Sequence, residues 1–128
     1  MTTPTDLRPK SVLILDDETI IADTLRLILL QSGFHAVTAY DGENAIEKAH
    51  QLNPDILLCD VVMPGLNGIE TAIQIRSFLP RCRVLLLSGQ AAVHDLLEDA
   101  RLRGHHFDLL TKPVHPDELL EFLRADPR

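Results

Sequence analysis

The stretch DILLCDVVMPG at residues 55–65 holds an apolar run that ends on an acidic side chain. Ile, Leu and Cys in unbroken succession are typical of a strand buried on both faces, as in a parallel sheet. Two further runs, at residues 11–15 and 83–87, consist mainly of Val, Ile and Leu. Weaker strand candidates lie at residues 35–40 and 107–110. The sequence therefore predicts five short strands.

Stretches with helical periodicity separate these strands. They predict helices at residues 19–32, from a cap at Asp41 to Asn53, at 68–78, at 91–103 and from Pro116 onward. Strands that alternate with helices give an α/β fold, in which right-handed crossovers wind helices onto both faces of a parallel sheet. We therefore predict a doubly wound, five-stranded (βα)5 domain.

Length and composition limit what such a domain can do. The chain has 128 residues, is 45% hydrophobic and carries a net charge of −7, which disfavours direct nucleic-acid binding. No apolar run reaches the length of a membrane span. Two cysteines without a C-x-x-C motif suit reduced thiols, so we expect a cytoplasmic protein. We predict one domain at residues 10–125, with flexible tails at 1–9 and 126–128.

Polar residues follow the predicted strands at the points where the strands end. They are Asp16, Asp17 and Glu18 after the first strand, Asp60 after the third, Ser88 and Gly89 after the fourth, and Thr111, Lys112 and Pro113 after the fifth. In open α/β sheets, ligands bind beyond the carboxyl ends of the strands. Taken singly, each residue is an ordinary cap, turn or surface residue. Their presence at one edge favours a shared site.

The charges in this set indicate the kind of ligand. Asp16, Asp17 and Asp60 would repel one another by roughly 4 kcal/mol per pair at about 4 Å. Such a cluster needs a cation, and carboxylate oxygens suit Mg²⁺ or Mn²⁺. Lys112 adds a positive charge, and Ser88 adds a hydroxyl group. Together these groups are typical of a site that binds a phosphoryl group.

Four ordered motifs extend this interpretation: Asp16-Asp17, Asp60-Val61-Val62-Met63-Pro64-Gly65 with Gly68, Ser88-Gly89, and Lys112-Pro113. Their set resembles the receiver domain of two-component response regulators, over about residues 10–124. The resemblance implies a flavodoxin-like sheet in the order 2-1-3-4-5. It also implies a signalling function rather than classical enzyme activity, with at most self-phosphorylation and autodephosphorylation.

The resemblance implies a role for each matching residue. Asp60 would accept a phosphoryl group from a histidine kinase or phosphotransfer protein. Asp16, Asp17, Asp60 and the backbone carbonyl of Val62 would hold Mg²⁺ or Mn²⁺. Ser88 and Lys112 would contact the phosphate oxygens, and the Lys112-Pro113 bond would be cis.

The resemblance also implies an output. Phosphorylation would switch the surface formed by the fourth helix, fifth strand and fifth helix, for docking of an unidentified downstream protein or for a phosphorelay. Homodimerisation through these helices is compatible with this expectation.

Two positions depart from the family pattern. Leu109 stands three residues before the lysine, where an aromatic switch residue is common. Val62 is apolar where a polar group often orients the hydrolytic water, so we expect slow autodephosphorylation. Leu109 keeps open an alternative, a receiver-fold binding module that works without phosphorylation, although Asp60, the acidic pair and Lys112 argue against it.

Two other classes fit the sequence less well. Phosphatases of the haloacid dehalogenase type place a D-x-D pair on one strand end and need a cap or a longer core. A flavodoxin-like cofactor protein needs a first loop rich in Ser, Thr and Gly, whereas this loop is acidic and would repel a phosphate.

Overall fold

The computed structural model describes residues 9–63, 65, 67–89 and 93–125, without the side chain of Val93. Its elements alternate from strand to helix along the chain. The strands are β1 (Ser11–Leu15), β2 (His35–Ala39), β3 (Ile56–Asp60), β4 (Arg83–Ser88) and β5 (Asp108–Thr111). The helices are α1 (Thr19–Gln31), α2 (Gly42–Leu52), α3 (Gly68–Phe78), α4 (Val93–Leu102) and α5 (Pro116–Arg124).

The five strands form one parallel sheet in the order β2-β1-β3-β4-β5. Both the α/β class and the strand order are therefore confirmed. Residues 1–8 and 126–128, most of the predicted tails, lie outside the described residues, as do residues 90–92 at the predicted start of the fourth helix.

The core has two layers, one on each face of the sheet. Alternate residues of the strands pack against α2, α3 and α4 on one face and against α1 and α5 on the other. Leu13 and Ile14 point to opposite faces, and each is only 1% exposed, as expected for a strand buried on both sides. No helix in the described part of the chain is long and apolar enough to cross a membrane.

The fifth strand differs from its predicted range. It begins at Asp108 rather than at residue 107, because Arg76 Nη1 of α3 donates to the carbonyl of His106 (3.1 Å) and holds the preceding segment against that helix. On α4, Leu96 is 40% exposed. The inward stripe of α4 is centred on Leu97 and Ala100, and Leu96 lies at its edge.

The start of α3 lies directly against the end of β3. Asn67 caps this helix, and its Oδ1 accepts a hydrogen bond from the amide of Glu70 (2.9 Å). A Cβ atom on Gly68 would lie 2.0 Å from the carbonyl oxygen of Asp60 and 2.7 Å from Sγ of Cys59. Gly68 therefore permits a contact that only a residue without a side chain can make.

This contact predicts that Gly68→Ala destabilises the domain. Within a helix, alanine normally raises the free energy of unfolding by up to about 1 kcal/mol relative to glycine, but here the clash should turn this gain into a loss. We expect a net loss of about 2 kcal/mol in the free energy of unfolding, the usual scale of overpacking. Urea denaturation measures it, with Gly89→Ala as the control, because a Cβ there would lie 3.6 Å from the nearest atom. Equal stability of the two variants would contradict the prediction.

Candidate functional site

Three aspartates meet at the carboxyl edge of the sheet. Asp16, Asp17 and Asp60 each offer a carboxylate oxygen within 4.8 Å of the others. Asp16 and Asp60 are buried, whereas Asp17 is exposed. Within the described ranges no other group of three His, Cys, Asp or Glu residues meets in this way. The acidic cluster expected from the sequence is therefore present.

Asp16 is the most deeply buried member of the cluster. Its Oδ1 accepts a hydrogen bond from the amide of Glu18 (2.9 Å), whereas its buried Oδ2 accepts no hydrogen bond from the described residues and lies 3.7 Å from Nζ of Lys112. Burial raises the pKa of Asp16, although the Glu18 amide and the charge of Lys112 act in the opposite direction. An ionised oxygen that accepts no hydrogen bond is costly to bury, and the Lys112 ammonium at 3.7 Å offsets only part of that cost, so this atom is suited to binding a cation.

Asp60 is the last residue of β3. Its Oδ1 accepts a hydrogen bond from Nζ of Lys112 at 3.2 Å. Burial raises the pKa of Asp60, and Lys112 partly offsets this effect. The negative charge of Asp17 raises the pKa further, and a hydrogen bond from the backbone of Val62 lowers it. The Asp60 carboxylate thus lies beside the ammonium group of Lys112 and the carboxylates of Asp16 and Asp17.

Lys112 follows β5 and forms ion pairs with both buried aspartates. Its Nζ lies 3.2 Å from Asp60 and 3.7 Å from Asp16. Burial alone would lower the pKa of Lys112, but the two carboxylates outweigh it and raise the pKa above its ordinary value. The Lys112 amide donates to the carbonyl of Ser88 (3.0 Å), which joins the ends of β4 and β5. The Lys112–Pro113 bond is cis, as expected from the resemblance.

An open cavity of about 300 Å³ lies above Asp60. Its walls combine charged, polar and apolar groups from four loops: Glu18, Asp60, Val62, Ser88, Gly89 and Lys112. The side chain of Val62 is 49% exposed, and Ser88 is 4% exposed. Our assignment of site residues from the sequence gave Glu18 no role. Its position directly after Asp17 is the sequence feature that could have identified it as a site residue. A cavity of this size can admit a phosphoryl group.

Leu109 lies on β5 and packs, with Leu97 and Phe107, against the core layer that contains α4. The ring of Phe107 is under the guanidinium group of Arg76, 4.9 Å from ring centroid to Cζ. That guanidinium also donates to the carbonyl of Cys82 at 3.1 Å. The ring of Phe107 is therefore in contact with an arginine, and the position typical of an aromatic switch holds an aliphatic side chain.

Comparison with known proteins identifies relatives of the whole domain. The model of the response regulator receiver domain matches residues 12–124. The chain is 35% identical to the probable transcriptional regulatory protein TcrX of Mycobacterium tuberculosis, over 94% of this chain and 50% of that protein. It is 36% identical to the alkaline phosphatase synthesis transcriptional regulatory protein PhoP of Bacillus subtilis, over 91% of this chain and 48% of that protein. The chain thus spans about half the length of these relatives.

Solved structures show the same fold. Chemotaxis protein CheY4 of Vibrio cholerae has a TM-score of 0.81 at 28% identity, with 91% of this chain and 97% of that chain covered. Response regulator TrrA of Thermotoga maritima, solved in complex with Mg²⁺ and a beryllium fluoride, has a TM-score of 0.78 at 30% identity, with 90% and 96% covered. By fold, acidic cluster and sequence, this chain belongs to the response regulator receiver domain family.

Proposed function

We propose that this chain is a phosphorylation-dependent signalling receiver that accepts a phosphoryl group on Asp60 from a histidine kinase or phosphotransfer protein. The observation that carries the proposal is the position of the Asp60 carboxylate. It lines an open cavity, pairs with Lys112 and lies within 4.8 Å of the carboxylates of Asp16 and Asp17.

The reaction that suits this arrangement is direct transfer from a phosphohistidine. One carboxylate oxygen of Asp60 forms a bond to phosphorus while the bond from phosphorus to the imidazole nitrogen breaks. The nitrogen keeps the electron pair, and the product on Asp60 is an acyl phosphate. Lys112 and Ser88, which line the same cavity, would contact oxygens of the transferred group. Positioning and charge stabilisation supply most of the catalysis in such transfers.

A divalent cation, Mg²⁺ or Mn²⁺, fits the acidic cluster. Asp16, Asp17 and Asp60, with the backbone carbonyl of Val62, would hold it through hard oxygen ligands. The buried Oδ2 of Asp16, which has no hydrogen-bond partner, and the spacing of the three carboxylates support this assignment. When bound, the cation neutralises charge on the transferring phosphoryl group.

The proposed output begins at the links between the site and its neighbouring elements. A phosphoryl group adds roughly −1.5 to −2 charges and draws Ser88 and Lys112 toward itself. Because the Lys112 amide is bonded to the Ser88 carbonyl, both strand ends can respond together. We therefore propose that the surface of α4, β5 and α5 changes its preferred arrangement and docks a downstream protein or domain. The names of TcrX and PhoP suggest transcriptional control as the output.

The first prediction concerns the phosphoacceptor. Incubation with acetyl phosphate and Mg²⁺ should add about 80 Da to the wild type, the mass of one phosphoryl group. Asp60→Asn should gain nothing, because an amide cannot form the acyl phosphate. Intact mass spectrometry measures both proteins. Asp17→Asn is the control that keeps Asp60 and should retain some labelling at saturating Mg²⁺. A mass gain in Asp60→Asn equal to that of the wild type would refute the assignment.

The second prediction concerns the buried charge of Asp16. Without a divalent cation, Asp16→Asn should raise the free energy of unfolding by about 1–3 kcal/mol, because the amide removes a buried negative charge whose desolvation Lys112 offsets only in part. Burial raises the pKa of Asp16 in the folded protein, so the cost of its buried charge is fully present above that raised pKa. This cost disappears as the pH falls below the ordinary pKa of an aspartate. The stability gained by Asp16→Asn should therefore shrink in acid.

Urea denaturation in EDTA and in Mg²⁺ measures this effect. Mg²⁺ should stabilise the wild type more than Asp16→Asn, because the variant lacks one ligand charge. Glu47→Gln on the exposed surface of α2 is the matched control and should leave both stabilities unchanged. A loss of stability in Asp16→Asn without metal would contradict the account of the cluster.

A further inference from the structure

Glu18 is the second acidic residue of the cavity above Asp60, and the proposed transfer gives it no role. It occupies the N-cap position of α1 with extended backbone angles (φ −85°, ψ 100°). Its amide donates to Asp16, and its carbonyl accepts from the amide of Ala22 (3.0 Å). The backbone of Glu18 is therefore fixed by the site on one side and by the helix on the other.

The side chain of Glu18 does not take part in these backbone contacts. N-cap residues commonly bond the first helical amides through a short side chain, but Glu18 makes no capping hydrogen bond. Its carboxylate is exposed and forms no hydrogen bond or ion pair with the described residues. It nonetheless acts electrostatically on the site, since its charge contributes to the raised pKa of both Lys112 and Asp16. A charged group whose backbone is fixed therefore lines the cavity above Asp60.

The sign of the charge at this entrance depends on Glu18. The three aspartates carry three negative charges, Lys112 returns one positive charge, and a divalent cation would return two more. The loaded site without Glu18 is therefore formally neutral. Glu18 makes it negative, and an approaching phosphoryl group is itself an anion. Like charges that line the same open cavity repel each other, and salt weakens this repulsion.

We propose that Glu18 determines donor specificity, an inference that rests on the proposed function of Asp60. Its charge repels small, highly anionic phosphodonors. It favours a protein donor that presents a positively charged side chain beside its phosphohistidine, because that side chain can pair with Glu18. The residue thereby shields Asp60 from free metabolic acyl phosphates and leaves it open to a basic partner surface.

The test compares rate constants for phosphorylation of Asp60 at saturating Mg²⁺ in the wild type, Glu18→Gln, Glu18→Asp and the control Glu47→Gln. The donors are acetyl phosphate and phosphoramidate, which carries less negative charge. Glu18→Gln should react roughly three- to tenfold faster with acetyl phosphate at low salt, with a smaller gain for phosphoramidate. The gain should shrink at high salt, where exposed charges are screened. Glu18→Asp, which keeps the charge, and Glu47→Gln should react like the wild type.

Each other outcome has a distinct meaning. If the wild type is labelled on Asp60 but Glu18→Gln reacts no faster, the role of Glu18 is refuted and the proposed function stands. An equal gain with both donors, or a Glu18→Asp variant as fast as Glu18→Gln, would show an effect of shape rather than charge and would also refute it. If neither donor labels the wild type or any Glu18 variant, the proposed function itself fails. Urea denaturation of the Glu18 variants excludes misfolding as the cause.

Discussion

Repulsion among three carboxylates at one edge of a parallel sheet is the constraint on which the rest of the site depends. β1 and β3 are neighbours in register, with Leu15 beside Cys59, so the residues that follow them, Asp16 and Asp60, must end side by side. Burial removes the water that would otherwise screen them. Lys112 compensates part of this charge, and an oxygen atom of Asp16 is left without a hydrogen-bond partner. The domain therefore maintains an unfavourable arrangement that a cation can relieve.

The surrounding structure holds these charges in place and links them to the surface. Gly68 lets α3 begin against the backbone of Asp60, so the first residue of that helix contacts the end of β3. The bond between the Lys112 amide and the Ser88 carbonyl ties together the two strands beside α4 and α5. Leu109 places an aliphatic side chain on β5 beside Leu97 of α4, and the ring of Phe107 lies under the guanidinium group of Arg76.

Much of this architecture is readable from the residues because local and global preferences agree. The unbroken Val, Ile and Leu runs predict β1, β3 and β4, and the acidic and basic residues at their ends predict the cluster. The strand order came from the family resemblance, since periodicity does not encode it. The start of β5 was placed one residue early because the contact between Arg76 and His106 is a tertiary one. Two further features depend on three-dimensional packing, which no spacing in the sequence reveals: among the described residues, Oδ2 of Asp16 accepts no hydrogen bond, and the carboxylate of Glu18 forms neither a hydrogen bond nor an ion pair.

The most direct test of the central claim uses beryllofluoride, a tetrahedral anion that mimics a phosphoryl group on a carboxylate. ¹⁹F NMR of the protein with beryllofluoride should show bound fluoride signals only when Mg²⁺ is also present, because the cluster must be neutralised before it accepts an anion. Asp60→Asn should show none under the same conditions. A wild type without bound signals at any Mg²⁺ concentration, or with full binding in EDTA, would contradict the view that Asp60 is a metal-dependent phosphoacceptor.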